Sequence, residues 1–292
     1  MFWILAGLIL AVLAWGAALR LGGDSMLRRQ RRARRAAAAW EDRGPTPLGE
    51  QRYTPQGLTF VEGRLVFANS WRDARSRLYE IDPDSMHILR WFDMPPEAVH
   101  TSGLAWDGKR LWAVDYKSNR AYCIDLEQSL ADQRVQIVGS FATTLRGTSA
   151  CCFVPWNGRM CLAISDFMRT RRTLLVRYDE ALESGTAEGC VEFSYANEGL
   201  SQGLEYFDGC LFEAENKWGL NVVNQLSLDR LRETASAHRS TIRQFAAPSR
   251  GVEDLAWDGE WLWTSDESVF RFYRMRWSEA RKMNSESGRS CA

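Results

Sequence analysis

One phrase recurs five times along the chain, and no other feature limits the fold as tightly. The copies open as QGLTFVEGRLVFANS (from Gln56), SGLAWDGKRLWAVD (Ser102), SACCFVPWNGRMCLAISD (Ser149), QGLEYFDGCLFEAEN (Gln202) and VEDLAWDGEWLWTSD (Val252). Each reads as a strand, a tight turn and a second strand, since apolar runs flank a glycine-bearing turn. The turn glycines Gly63, Gly108, Gly158, Gly209 and Gly259 lie about 45 to 51 residues apart, a spacing found in propeller blades. A third apolar segment follows every hairpin (RLYEID, RAYCID, TLLVRYD, LNVVNQLSLD, VFRFYRM). A fourth follows in the first four copies (HILRWFDM, VQIVGSF, GCVEFSY, TIRQFAA). Four short strands joined by turns make one blade.

The expected architecture is therefore all-β, a five-bladed β-propeller over residues 51–277. A six-bladed ring is the alternative if the segment ahead of the first copy belongs to another blade. The fifth copy lacks a fourth strand before the polar tail, residues 278–292, which is expected to be disordered. The segment around LGEQRYT is expected to supply that strand and close the ring. LSLDRLRETASAHRS reads as a helical or looped insertion in blade four. The repeated tryptophans Trp106, Trp112, Trp257 and Trp263, with Trp156 nearby, are expected to fill the wedges between blades.

Ahead of the ring, MFWILAGLILAVLAWGAAL runs from Met1 to Leu19 without a charge, close to the roughly 20 apolar residues that span a bilayer. The basic residues follow the run: Arg20, then the block Arg28 to Arg35. A secretory signal normally has the reverse order, although the Ala-rich end leaves cleavage open. Residues 1–22 thus read as a single uncleaved transmembrane anchor and residues 23–50 as an Arg-rich juxtamembrane segment and linker. Residues 1–35 are expected to meet membrane lipid, with the ring on the cytoplasmic side; an exported or lumenal ring is the alternative. The arginines carry no interleaved aromatics, so no nucleic-acid partner is expected. Lys+Arg and Asp+Glu balance at 37 each, giving no global field toward one.

The 7 Cys form no CxxC and several sit in apolar strand runs, so they read as buried reduced thiols. With 3 His, none at ligand spacing from a Cys pair, no zinc site is expected. P-loop, GxGxxG, GxSxG, HExxH and EF-hand patterns are all missing from the sequence.

In a four-stranded meander the first strand starts, and the second ends, at the same mouth of the ring. Aligning the copies places Asn69, Asp115, Asp166, Glu215 and Asp266 at the second-strand ends, and Gln56, Ser102, Ser149, Gln202 and Glu253 at the first-strand starts, with His100 beside Ser102. Convergent polar groups in a concavity are a ligand-site signal. A carboxylate at a strand end also commonly caps the next turn. No cofactor is required by this set, although Ca²⁺ or another divalent ion at the mouth is a possibility to test.

SQGLEYFDGCLFEAENKWGLNVV (Ser201 to Val223) and TPQGLTFVEGRLVFANSW (Thr54 to Trp71) resemble the glutamine cyclotransferase family of five-bladed propellers, whose hairpin reads approximately FTQGL, a strand, then ESTG and YG-S. The resemblance extends loosely over the five copies. It implies that Glu213 aligns with the family's catalytic Glu, with Glu215, Asn216 and Lys217 near enough to hold the amide oxygen and Trp218 as an apolar wall. The chain departs from the motif, reading EAEN for ESTG and KWGLN for the YG-S phrase. Two functions follow. One is a membrane-anchored module that binds or assembles a protein partner or small ligand at one face of the ring. The alternative is an enzyme: a cyclotransferase relative, or a metal-dependent propeller hydrolase or lactonase.

Overall fold

A computed structural model describes residues 40–280, apart from residues 52, 72–74 and 218–219. The expected anchor, the Arg block, Trp218 and the tail beyond residue 280 lie outside the described residues. Among those described, no helix is long and apolar enough to cross a membrane.

The described strands form five four-stranded antiparallel sheets, settling the ring at five blades rather than six. Blade one holds Thr54–Val61, Arg64–Trp71, Arg75–Ile81 and Ile88–Asp93; blade two holds Thr101–Trp106, Leu111–Asp115, Arg120–Ile124 and Ile137–Ala142. Blade three holds Thr148–Trp156, Arg159–Asp166, Arg172–Val176 and Val191–Ala196; blade four holds Leu200–Phe207, Cys210–Lys217, Leu220–Ser227 and Thr241–Ala246. Blade five combines Val252–Trp257, Trp261–Asp266 and Arg271–Arg276 with Trp40–Pro45 from the other end of the chain.

The closing strand lies upstream of the expected LGEQRYT segment, whose Gly49–Gln51 forms a 3₁₀ turn instead. WEDRGP is chosen by its partner, RFYRMR. Trp40 pairs with Met275, and the carboxylates of Glu41 and Asp42 take Arg274 at 2.9 Å and Arg271 at 2.7 Å. The Trp40 indole also donates to the Ala246 carbonyl at 2.7 Å, tying the strand to blade four. At the other end, residues 278–280 continue a helical turn in which Ala280 is buried, so the ordered chain runs past 277.

Five apolar clusters fill the wedges between neighbouring blades. Trp112, Trp156 and Trp263 lie in them, as expected. Trp106 and Trp257 are half-buried, packing against the edges of two of these clusters while also lining the central channel. The free Cys123, Cys151, Cys152, Cys161 and Cys190 are buried, and Cys210 is half-buried.

The AWDG phrase of blades two and five has a specific cause. Asp107 Oδ1 accepts the N–H of Lys109 (2.8 Å) and Arg110 (2.6 Å), while Oδ2 accepts the Trp112 indole at 2.8 Å. Asp258 repeats this with Glu260 (2.8 Å), Trp261 (2.6 Å) and the Trp263 indole (2.7 Å). A buried indole needs an acceptor, and the turn Asp provides it. Blade four turns differently: Asp208 and Gly209 both have positive φ, the two-residue hairpin geometry, and Asp208 accepts the Trp277 indole instead.

The insertion expected in blade four is a pair of short helices, Leu228–Thr234 and Ala237–Ser240. Blades two and three carry equivalents, Leu126–Asp132 and Tyr178–Ser184, which the sequence reading lacked.

At the axis the five first strands approach so closely that two of the positions have no room for a Cβ. A Cβ on Gly103 would lie 2.6 Å from the Ala150 Cα, and one on Gly203 would lie 2.7 Å from the Asp254 Cα. Only blade five carries a functional group in this column. Asp254 is fully buried; its Oδ2 accepts the N–H of Leu58 and Leu104, both at 3.0 Å. Its Oδ1 accepts those of Leu255 at 3.0 Å and Leu204 at 3.3 Å. One carboxyl thereby holds four of the five blades.

Candidate functional site

The polar mouth lies where the first strands start. All five second-strand residues expected there, Asn69, Asp115, Asp166, Glu215 and Asp266, are fully buried. Asp115 accepts the N–H of His100 (2.6 Å), Lys117 (2.9 Å) and Ser118 (2.7 Å). Asp166 accepts Arg169 N–H at 2.7 Å and Thr170 N–H at 3.1 Å. Asp266 accepts the N–H of Gly251, Ser268 and Val269, together with the Ser249 hydroxyl. Glu215 holds the N–H of Glu198 (3.0 Å) and Gly199 (2.7 Å) and the Asn224 amide (2.9 Å). Asn69 donates to the Pro47 carbonyl at 3.0 Å. These side chains hold the mouth loops in place, each turned onto its own blade or the segment leading into it. Among the described residues no three His, Cys, Asp or Glu side chains are grouped to hold a metal ion.

The first-strand residues line the channel inside that ring. Ser102 donates to Thr148 O at 2.6 Å, and Ser149 shares a hydrogen bond with Ser165 at 3.1 Å. Gln56 donates to its neighbour, Pro55 O, at 2.7 Å. Gln202 and Glu253 come together, the Gln202 amide donating to Glu253 at 2.9 Å. Burial, with Glu267, Asp266 and Asp254 nearby, pushes the Glu253 carboxyl well above the usual range. His100 packs against Tyr116, ring centroids 5.2 Å apart, and burial pushes its imidazole down, opposed by Asp115.

Glu213 lies deeper, between blades three and four. Its position across from Leu204 corresponds to Phe67, Ala113, Ile164 and Thr264 in the other blades, none of them charged. It is fully buried, and neither carboxylate oxygen has a hydrogen-bond partner. Two polar side chains beside it also hold an unpartnered buried atom, Tyr195 Oη from blade three and Ser201 Oγ from its own blade; Asn197 Nδ2, in the loop between the two blades, is a further one. Burial, reinforced by Glu215, pushes the Glu213 carboxyl well up; the Ser201 hydroxyl is the one group favouring its ionised form, without reaching hydrogen-bond geometry. Buried polar groups are nearly always paired, so this cluster is an exception with a chemical meaning. Asn216 is half-buried beside it in the strand; the Lys217 side chain and Trp218 lie outside the described residues.

Sequence reasoning missed Asp254, Ser201, Tyr195, Asn197 and, at the opposite end of the channel, Glu205. For two of them the signal was present: Asp254 interrupts the column Gly57, Gly103, Ala150, Gly203, and Glu205 the column Thr59, Ala105, Cys152, Ala256.

No family model matches the chain, and no curated protein matches it in sequence. Among solved structures, the glutaminyl cyclase of Myxococcus xanthus is similar with a TM-score of 0.58 and 15% identity, over 81% of this chain and 95% of that one. The PQQ-bound aldose sugar dehydrogenase of Streptomyces coelicolor follows at 0.47 and 12%, over 81% and 97%. Virginiamycin B lyase of Staphylococcus aureus is at 0.43 and 10%, over 81% and 98%. The first likeness shows a shared fold, the five-bladed propeller of a glutaminyl cyclase.

Proposed function

We propose that the chain is a membrane-tethered β-propeller that works as a binding and assembly module, presenting the ring to a protein or small ligand. The tether is residues 1–22, with the Arg block holding the ring on the cytoplasmic side. The observation that carries the reading is the closure of the polar mouth onto itself. Its second-strand carboxylates are committed to loop N–H groups, and Glu213, the residue the cyclotransferase resemblance singles out, has no exposed surface. A catalytic group has to reach its substrate, whereas a scaffold needs rigid loops.

The test is a cyclisation assay on a Gln-initiated peptide with the purified full chain. No release of ammonia is expected above the uncatalysed rate. Turnover that disappears in Glu213→Gln would sink the module reading. Thiol labelling in sealed vesicles tests the orientation, and a ring labelled only from the far side removes the cytoplasmic assignment.

A second reading, the cyclotransferase, draws on the same residue. Burial, reinforced by Glu215, pushes the Glu213 carboxyl well up and so favours its protonated form; it can give that proton to the departing ammonia as the peptide's amine attacks the side-chain amide carbon and the C–N bond breaks, and take back the proton that the amine loses. Unpartnered atoms on Glu213, Ser201 and Tyr195, three side chains close together, suit a site that a substrate completes. This reading requires a path from solvent to Glu213, which has no exposed surface.

A further inference from the structure

The opposite end of the channel, at the hairpin turns, has a different chemistry. Three residues beyond the axial contact, every first strand carries one aromatic side chain: Phe60, Trp106, Phe153, Tyr206 and Trp257. All five are half-buried, and together they ring a cavity of about 240 Å³. They surround that space without filling it. Phe60 leans on Trp263 (6.0 Å between centroids), Phe153 on Tyr178 (5.1 Å) and Trp257 on Phe207 (4.1 Å), so the rings are braced from the wedges behind them.

One residue deeper, the same strands place Thr59, Ala105 and Cys152 on the wall, all nearly buried and uncharged, and in blade four Glu205. Among the described residues Glu205 has no cationic partner. Its Oε1 accepts the N–H of Tyr206 at 2.8 Å and its Oε2 that of Trp257 at 3.1 Å. A carboxylate offers roughly four acceptor positions, so about two remain toward the cavity. A half-buried carboxylate with no opposite charge beside it is costly, and the faces of surrounding aromatic rings are themselves electron-rich. Both features favour a positive charge in the space between them. At ~30 Å³ per water the cavity has room for about eight, enough for a small branched cation and too little for a folded segment. Asp254 and the converging strands close the channel behind it.

We propose that this aromatic funnel is a binding site for a compact alkylammonium cation, with Glu205 as the counter-ion and the five rings as the cage. The site is separate from the polar mouth and does not depend on the function proposed above.

The full chain in detergent, ¹⁵N-labelled at tryptophan, is titrated at about pH 8.5, above the value of about 8 to which burial pushes the Glu205 carboxyl, with choline and with n-butylammonium, and then with the neutral choline isostere 3,3-dimethylbutan-1-ol. At least one cation is expected to shift two indole N–H signals, assigned to Trp106 and Trp257 by their loss in Trp106→Phe and Trp257→Phe. The neutral isostere is expected to bind at least about tenfold more weakly, the scale of a desolvated cation–π contact. Glu205→Gln should weaken the cations and leave the isostere unchanged. Because Glu205 also holds two backbone N–H groups, Phe153→Leu serves as a second variant that removes a cage wall without touching them, and it should weaken the cations as well. If neither cation moves those two signals, or the isostere binds as tightly, the proposal falls. It also falls if the folded Phe153→Leu protein binds as wild type does.

Discussion

At the residue scale, the informative positions are those where one copy breaks a column that the other four keep. Three of the breaks are carboxyls: Asp254 among small residues, Glu205 among Thr, Ala and Cys, and Glu213 among Phe, Ala, Ile and Thr. Only the first is fully used by the fold, through its four N–H donors. Glu213 is spent on nothing visible, so Glu213→Met is expected to stabilise the protein by about 1–3 kcal/mol, the cost of an unsatisfied buried polar group. Chemical denaturation checks this; a loss of stability would show that the carboxyl has a structural partner. Glu205 makes a pH prediction. Burial pushes its carboxyl from an ordinary 4.5 up to about 8, against the N–H donors of Tyr206 and Trp257. Between those values the folded chain holds a proton that the unfolded chain has released. Its contribution to stability is thus fully present below 4.5 and is lost as pH rises to about 8, at up to about 1.4 kcal/mol per pH unit. Glu205→Gln should remove that slope, so the stability difference between variant and wild type should drift in the variant's favour across the window. A pH-independent difference would mean that Glu205 titrates normally. The sequence made Glu213 visible through its resemblance to a known motif. Its burial, and the Tyr195 hydroxyl beside it from another blade, depend on wedge packing that no single copy encodes.

At the element scale, the hairpins were legible because their code is local: a turn residue, a glycine and an apolar pair of strands. The AWDG hairpins go further, since Asp107 and Asp258 each cap a turn and accept an indole from their own second strand. Asp107→Ala and Asp258→Ala each delete two N–H acceptors and the indole's partner, and each should cost roughly 2–4 kcal/mol. As copies of one unit they should cost nearly the same. A large effect in one blade and none in the other would show that the phrase repeats without repeating its energetics. The mouth was legible in a different way. Aligning the strand ends found the ring of Asn69, Asp115, Asp166, Glu215 and Asp266, but not what each side chain faces. Whether a strand-end carboxylate points to a ligand or to its own loop depends on where the loop's N–H groups turn, and here they turn inward onto the acid. The helices after the third strands of blades two and three were hidden for a related reason. At seven residues each they show too little periodicity to stand out.

At the scale of the whole molecule, a ring is only as stable as its closure and its axis. Asp254 secures the axis: Asp254→Ala leaves four enclosed N–H groups without an acceptor and should cost roughly 3–5 kcal/mol, with blades one, two, four and five affected together. Closure depends on Trp40–Pro45, eleven residues before the boundary that the repeats suggest at residue 51. That error has a physical origin. A closing strand is read from its partner at the far end of the chain, and neither WEDRGP nor RFYRMR announces the pairing alone. The contrast makes a direct test, comparing soluble fragments 40–280 and 51–277. The longer keeps Trp40 against Met275 and the Arg271 and Arg274 ion pairs, together with buried Ala280. It is expected to unfold in one cooperative transition. The shorter leaves the Arg271–Arg276 strand as an open edge, which invites pairing with other chains. Loss of the Trp burial alone removes about 2–3 kcal/mol, so its midpoint should lie roughly 5–10 °C lower, with association at rising concentration. Equal midpoints would mean that the fifth blade stands on three strands, and that the ring is held by Asp254 and the wedges rather than by its closing strand.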